Sequence, residues 1–226
     1  MKQLALSLAP PPAPSLDNFF PGHNGELLSV LGHLVAGRDV ERSIYLWGEA
    51  GSGRSHLLRA AISALRAAGL NCTYLTPVDA MPDPAGLRAV AVDDVELLGA
   101  GSQRAFFHLY NQLRERAGIV LAAGNVPPAK LRLRPELLTR LGWGLVYQVQ
   151  ALSDGEKAEA LKLHAAARAF DLPDGVIDYL LRHLSRDLPS LMSVLDALDR
   201  RSLETKRQIT VPLLKELLET QDDSPR

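Results

Sequence analysis

The apolar positions of this 226-residue chain follow two patterns, and the change between them falls near residue 150. In the first part, short apolar runs alternate with segments whose apolar residues recur every three or four positions, which predicts strands and amphipathic helices in turn. The predicted strands are residues 43–47, 71–76, 89–94, 119–123 and 144–149. The predicted helices are residues 24–35, 54–68, 102–117 and 133–141. Strands that alternate with helices predict an α/β fold, with a parallel sheet and helices on both of its faces.

From Ser153 onward only the helical period remains. Ser153 and Glu156 form the pattern of a capping box, which predicts the start of a helix that continues to about residue 170. Further amphipathic helices are predicted at residues 174–184, 189–204 and 210–219. The predicted domains are therefore an α/β domain at residues 15–151 and a small α-helical domain at residues 152–220, followed by a polar tail at residues 221–226.

The first 14 residues fit neither pattern. Gln3 is followed by leucines at alternate positions, Leu4, Leu6 and Leu8, and an extended conformation would place these leucines on one side. Four prolines between residues 10 and 14 predict a stiff, extended spacer. Residues 1–14 are therefore expected to be a disordered docking peptide with its linker, which would enter a groove on another protein. A frayed terminus without a function is the alternative.

Composition narrows the class of protein. The net charge of −1 excludes an overall basic field that would hold DNA by its phosphates. A local basic patch is only a weak indication of nucleic-acid binding, because no aromatic residues interleave with it. This patch comprises Lys130, Arg132, Arg134 and Arg140. The single cysteine, Cys72, excludes an internal disulfide and fits a reducing, cytoplasmic compartment. No apolar run approaches the length of about 20 residues that spans a bilayer.

A glycine-rich loop joins the first predicted strand to the helix after it. Strand, loop and helix are the context of a phosphate-binding loop, in which backbone N–H groups and the helix N-terminus surround an anion. The candidate nucleotide-binding residues are Gly48, Gly51, Ser52, Gly53, Arg54, Ser55 and His56. Arg54 occupies the position where the usual pattern has lysine. Because guanidinium is a broad planar fork and the lysine ammonium a compact charge, phosphate binding should survive this change better than turnover.

Two carboxylates follow the third predicted strand, where a phosphate loop needs a partner that holds magnesium. We expect Asp93 to orient a Mg²⁺ ion together with the Ser55 hydroxyl, and Asp94 to polarise an attacking water. Asn125 ends the next predicted strand and could reach the terminal phosphate or its water, although an ordinary loop-starting asparagine is the alternative. These residues predict a site for ADP or ATP, with Mg²⁺ if a metal is bound.

Arg140 lies in the predicted helix 133–141, at an edge of the α/β domain. An arginine held there can enter the nucleotide site of a neighbouring protein and stabilise charge on the transferring phosphoryl group. A solvated surface arginine is the alternative for an isolated residue.

Together these motifs resemble the AAA+ ATPases over residues 15–220. The segments that carry the resemblance are 48–55 (Walker A), 90–94 (Walker B), Asn125 (sensor 1) and Arg140 (arginine finger). Similarity to the DnaA-like branch of this family lies in Asn18, Phe19, the Asp93–Asp94 pair and the Leu-Gly-Trp-Gly segment after Arg140. Within that branch the chain is similar to regulatory inactivators of DnaA, which lack its DNA-binding domain and share the arginine at position 54.

The resemblance implies a function and partners. Residues 3–8 would dock on the DNA polymerase sliding clamp, so that DNA is reached through the clamp. Arg140 would stimulate ATP hydrolysis by DnaA and convert DnaA to its inactive ADP form. The loop of this chain would hold ADP, with residues 152–220 as its lid. Pro189 stands where the family has a sensor 2 arginine, with Arg186 nearby, and this departure weakens the expected dependence on ADP.

Two functions of other kinds remain open. The chain could be a stand-alone AAA+ ATPase, such as a loader or a replication accessory protein, in which Asp94 and Asn125 would serve its own hydrolysis. It could also be an interaction module with an inactive nucleotide site. A homodimer is open as well, since the sequence does not fix the oligomeric state.

Overall fold

The computed structural model describes residues 13–184 and 187–222. Within these ranges the chain forms two compact units, one from Ala13 to Ala151 and one from Leu152 onward. No helix in the described ranges is long and apolar enough to cross a membrane. The docking peptide predicted at residues 3–8, Arg186 and the last four residues lie outside the described residues.

The first unit is built on a five-stranded parallel sheet. Its strands are β1 (Ser43–Trp47), β2 (Cys72–Leu75), β3 (Ala89–Val92), β4 (Ile119–Gly124) and β5 (Leu145–Gln148). Their order is β2-β3-β4-β1-β5, and every neighbouring pair is parallel. β3 and β4 are buried along their whole length, as expected for central strands of a sheet covered on both faces. The predicted parallel α/β fold is confirmed.

Four α-helices accompany this sheet: α1 (Gly25–Val35), α2 (Arg54–Ala67), α3 (Ala100–Glu115) and α4 (Pro135–Leu141). Alternation along the strands divides the apolar residues between two cores. One core joins Ala91 of β3 to Leu31 of α1 and Leu58 of α2. The other joins Val90 of β3 to Phe106 of α3 and to side chains of α4. α2 and α3 therefore lie on opposite faces of the sheet.

The end of α3 differs from the prediction, in which this helix continues to residue 117. α3 ends at Glu115, and Ala117 is exposed with a left-handed φ of +52°. The N–H of Ala117 donates to the Arg114 carbonyl at 3.1 Å, and that of Gly118 donates to the Leu113 carbonyl at 2.7 Å. These bonds satisfy carbonyls of the last turn and stop the helix there.

The second unit contains α5 (Asp154–Ala167), α6 (Asp174–His183), α7 (Leu188–Thr205) and α8 (Val211–Asp222). The predicted capping box is present: the N–H of Glu156 donates to Ser153 Oγ at 3.2 Å, and the N–H of Ser153 donates to the Glu156 carboxylate at 2.8 Å. All four helices contribute to one apolar core, for example through Leu161, Leu180, Leu195 and Leu214.

Candidate nucleotide site and arginine surface

The glycine-rich loop lies between the carboxyl end of β1 and the start of α2. Gly53 has a φ of +100°, which strains any residue with a side chain. A Cβ atom at this position would also lie 2.6 Å from the ring of Phe19. His56, in the first turn of α2, has its Nε2 3.0 Å from the Ser15 carbonyl oxygen and its ring centre 5.6 Å from that of Phe19. The segment of residues 15–19 is therefore packed against the loop.

Arg54, the first residue of α2, is directed into the protein, and only 10% of its side chain is exposed. Its Nη2 lies 3.8 Å from Oδ1 of Asp94, whereas its Nη1 has no hydrogen-bond partner among the described residues. The hydroxyl of Ser52 is likewise buried and unbonded there. A buried donor without a partner is costly, so both groups favour an anion at the loop. This arrangement fits a nucleotide phosphate.

Asp93 directly follows β3 and is 2% exposed. Tyr74 of β2 pairs with Ala91 of β3, and alternation puts Tyr74, Ala91 and Asp93 on the face of the sheet that α2 covers. Both carboxylate oxygens of Asp93 accept hydrogen bonds, Oδ2 from the Tyr74 hydroxyl at 2.6 Å and Oδ1 from the Asp94 N–H at 3.0 Å. Burial and this hydrogen bond raise the pKa of Tyr74 to about 12.

Asp94 has a left-handed backbone, with φ +43° and ψ +49°, and 41% of its side chain is exposed. Burial, and next the charge of Asp93, raise the pKa of Asp94, while the cations Arg54 and Arg59 oppose this shift. Arg59 also lies over the ring of Tyr74, with its guanidinium carbon 4.9 Å from the ring centre. The carboxylate expected to polarise water therefore lies close to Arg54 and also experiences the positive charge of Arg59.

Asn125 follows the last residue of β4, the strand between β1 and β3 in the sheet. The carboxyl ends of parallel strands meet at one edge, which places Asn125 at the same edge as the loop and the two carboxylates. Asn125 is exposed and Ser55 is half-buried. The residues predicted for the chain's own nucleotide site, from Gly48 to His56 with the residues after β3 and β4, thus lie along one edge of the sheet.

Arg140 lies in the last turn of α4 and is held by other side chains. Its Nε donates to Oδ1 of Asn111 at 2.7 Å. Its guanidinium carbon lies 3.9 Å from the centre of the nearest ring of Trp143 and 5.5 Å from the ring centre of Phe107. Neither terminal nitrogen of Arg140 has a hydrogen-bond partner among residues 13–184 and 187–222. The guanidinium of Arg140 is therefore held in one orientation, and its two terminal nitrogens can still donate hydrogen bonds to another molecule.

Trp143 is 53% exposed, and Arg114 contacts the same side chain with its guanidinium carbon 4.5 Å from the ring centre. Gly144 fixes the path of the chain next to it, because a Cβ at Gly144 would collide with the carbonyl oxygen of Ser43. Only a glycine backbone can pass β1 this closely. Trp143 is thereby presented beside Arg140, directly before β5.

The basic patch predicted from the sequence is wider than expected and does include aromatic residues, which corrects the prediction that none interleave with it. Phe107 and Trp143 both contact Arg140. A cavity of about 180 Å³ is lined by basic, aromatic and apolar side chains and by one acidic side chain, namely Arg104, Phe107, His108, Arg134, Leu137 and Glu136. α3 and α4 therefore share one basic and aromatic surface.

Sequence reasoning gave no role to the side chains that contact or act on the candidate site residues, namely Arg59, Tyr74, Phe107, Asn111 and Trp143. They lie on elements distant in sequence from the residues they contact, so spacing alone gives no signal. The exception is Trp143, since a large aromatic residue between two glycines beside Arg140 indicates an exposed, functional position.

A phosphate loop after β1, two carboxylates after β3 and the strand order β2-β3-β4-β1-β5 define a P-loop protein of the AAA+ class. Residues 154–218 match the family model described as the lid domain of Hda. This match, which covers the helical unit, and the AAA+ fold of the first unit together support a relation to the Hda/DnaA-like proteins.

Several solved structures have a similar fold. DnaA of Aquifex aeolicus, bound to AMPPCP, is 22% identical with a TM-score of 0.71, and the match covers 85% of this chain and 67% of that one. Domain III of Thermotoga maritima DnaA is 19% identical with a TM-score of 0.71, covering 96% and 100%. A RuvB variant from Thermotoga maritima is 17% identical with a TM-score of 0.63, covering 92% and 72%. At these identities the similarity shows the fold.

Proposed function

We propose that this DnaA-related protein is a negative regulator of replication initiation. In this proposal it docks on the DNA polymerase sliding clamp through residues 3–8 and stimulates ATP hydrolysis by DnaA, which becomes the inactive ADP form. The observation that carries the proposal is the orientation of Arg140 at the surface of the α/β unit. The docking peptide lies outside the described residues, so the clamp rests on the sequence pattern alone.

The contacts of Arg140 support a role on another protein's nucleotide. A long side chain loses rotamer freedom when it is fixed on binding, and this cost falls if the side chain is already held. Asn111 and Trp143 hold the guanidinium by its Nε and by its face. The two terminal nitrogens are then left for oxygens of a phosphoryl group, which a guanidinium binds bidentately.

The chain's own loop is proposed to hold an adenine nucleotide, ADP or ATP, without efficient turnover. AMPPCP in the DnaA of Aquifex aeolicus supports an adenine nucleotide at this loop. The unused donors of Arg54 and Ser52 support phosphate binding. The approach of Arg54 to Asp94 supports slow hydrolysis, because a carboxylate engaged with a cation is a poorer partner for an attacking water.

The test is ATP hydrolysis by DnaA, measured with this protein and with the clamp on DNA, each omitted in turn. We expect stimulation only when both are present. Arg140→Ala should abolish the stimulation while clamp binding is retained, because an arginine finger contributes about 10³-fold or more to hydrolysis. Arg132→Ala, which removes an exposed arginine of the same basic patch, is the matched control and should stimulate normally. Undiminished stimulation by Arg140→Ala would overturn the proposal.

Two further measurements separate the proposal from its alternatives. The double variant Gln3→Ala, Leu6→Ala should lose capture on immobilised clamp, and retained capture would remove the clamp from the proposal. Vigorous ATP hydrolysis by the chain alone would instead favour a stand-alone ATPase.

A further inference from the structure

Asp93, the expected magnesium ligand, lies in surroundings that suit a metal poorly. Magnesium takes oxygen ligands at short distances in near-octahedral geometry and gives up its water reluctantly. Both oxygens of Asp93 already accept hydrogen bonds, from the Tyr74 hydroxyl at 2.6 Å and from the Asp94 N–H at 3.0 Å. Asp93 is 2% exposed and Tyr74 is half-buried, so a metal that displaced the Tyr74 hydroxyl would break a hydrogen bond that is partly shielded from water.

The positive charge that a metal would bring to this edge of the sheet is already supplied by two arginines. Nη2 of Arg54 lies 3.8 Å from Asp94, and Nη1 of the same residue is buried without a hydrogen-bond partner in the part of the chain that the structure describes. Arg59 follows Ser55 by four residues on α2, which places both on one side of this helix. Its guanidinium lies over the ring of Tyr74 and acts on Asp94 as well. α2 therefore carries two cations where the usual loop relies on one lysine.

We infer that this site binds the diphosphate of its nucleotide without magnesium. Tyr74 keeps Asp93 from the metal, and Arg54 and Arg59 supply the countercharge. The inference rests on the proposed function, since it requires that the loop hold a nucleotide. It also explains why the site would hold a nucleotide without hydrolysing it, because phosphoryl transfer depends on a metal that bridges and neutralises the phosphate oxygens.

The experiment is a titration of the chain with a fluorescent ADP analogue, once in excess Mg²⁺ and once in excess EDTA. For the parent protein we expect the two Kd values to differ by less than about threefold. Tyr74→Phe keeps the ring beneath Arg59 but removes the hydroxyl from Asp93. In this variant we expect binding to be at least about tenfold tighter in Mg²⁺ than in EDTA.

Tyr147→Phe is the matched control. It also removes one tyrosine hydroxyl, which here donates to Glu26 at 2.9 Å, and it should behave as the parent does. Arg59→Gln should weaken binding in EDTA about tenfold, and an unchanged Kd would exclude Arg59 from the site. Thermal unfolding by circular dichroism shows that each variant is folded.

The outcomes separate the inference from the function on which it rests. ADP binding by the parent that is tenfold or more tighter in Mg²⁺ would overturn the inference and leave a nucleotide-holding site. Binding by Tyr74→Phe that stays insensitive to Mg²⁺ would overturn the role of Tyr74. A folded parent that binds no nucleotide in either buffer would overturn the holding site itself, and the inference with it.

Discussion

The ring of Trp143 positions the guanidinium of Arg140, and the effect of its removal can be given a magnitude. In Trp143→Ala, Arg140 loses the ring that lies 3.9 Å from its guanidinium carbon but keeps the 2.7 Å hydrogen bond to Asn111. Trp143 is 53% exposed, so the contact is partly solvated and worth about 0.5–1 kcal/mol. If this free energy restricts the guanidinium to the observed position, its loss should lower the proposed stimulation of DnaA about two- to fivefold.

The assay is the rate of ATP hydrolysis by DnaA at saturating amounts of the clamp-bound protein, so that weaker docking does not contribute. Trp143→Phe retains an aromatic face and should fall between Trp143→Ala and the parent. Arg114→Ala is the matched control, because it removes the other cation on the same ring, 4.5 Å from the ring centre, and leaves the contacts of Arg140 in place. Parental stimulation by Trp143→Ala would refute the positioning role. An equal loss in Arg114→Ala would show that surface charge matters and orientation does not.

Gly53→Ala should lower the free energy of unfolding by about 1–3 kcal/mol, because a φ of +100° strains an L-residue and the new methyl group would contact Phe19. A free energy of unfolding in urea equal to that of the parent would contradict this. The pKa of Tyr74 is raised from 10.0 to about 12, so its protonated hydroxyl stabilises the folded state below pH 10 and this contribution is lost up to pH 12. Between pH 10 and pH 12, the free energy of unfolding should therefore fall less in Tyr74→Phe than in the parent. An equal fall in both would refute the raised pKa of Tyr74. Cys72 is 7% exposed and burial raises its pKa, so a thiol reagent should label it only after unfolding; rapid labelling of the folded chain would contradict its burial.

The sheet could be predicted because its central strands are simple in sequence. β3 and β4 are buried on both faces, so each is an uninterrupted apolar run, β3 between Arg88 and Asp93 and β4 between Gly118 and Asn125. The end of α3 could not be predicted, since Ala117 adopts a left-handed conformation that its residue type does not indicate. Helix ends depend on backbone hydrogen bonds of the final turn, and several residues near an end can close it.

The candidate site also has one part that the sequence predicts and another that it does not. The loop around Gly53 and the carboxylates after β3 are local motifs, so the sequence indicates them directly. The partners of these motifs are not local. Tyr74 reaches Asp93 only because of the register between β2 and β3, and Asn111 reaches Arg140 only because α3 and α4 lie side by side. Strand register and helix packing depend on the whole core. The spacing of residues along one segment therefore does not predict them.

The left-handed backbone of Asp94 bears on how substitutions at this position accumulate over evolutionary time. At φ +43° and ψ +49°, glycine, asparagine and aspartate are tolerated, whereas β-branched residues are not. The backbone conformation therefore limits which residue types can occupy this position, whatever chemistry is under selection. A lineage that had lost hydrolysis altogether would still tend to keep aspartate, asparagine or glycine here. Invariance of this position among descendants would be poor grounds for calling any of them an active ATPase.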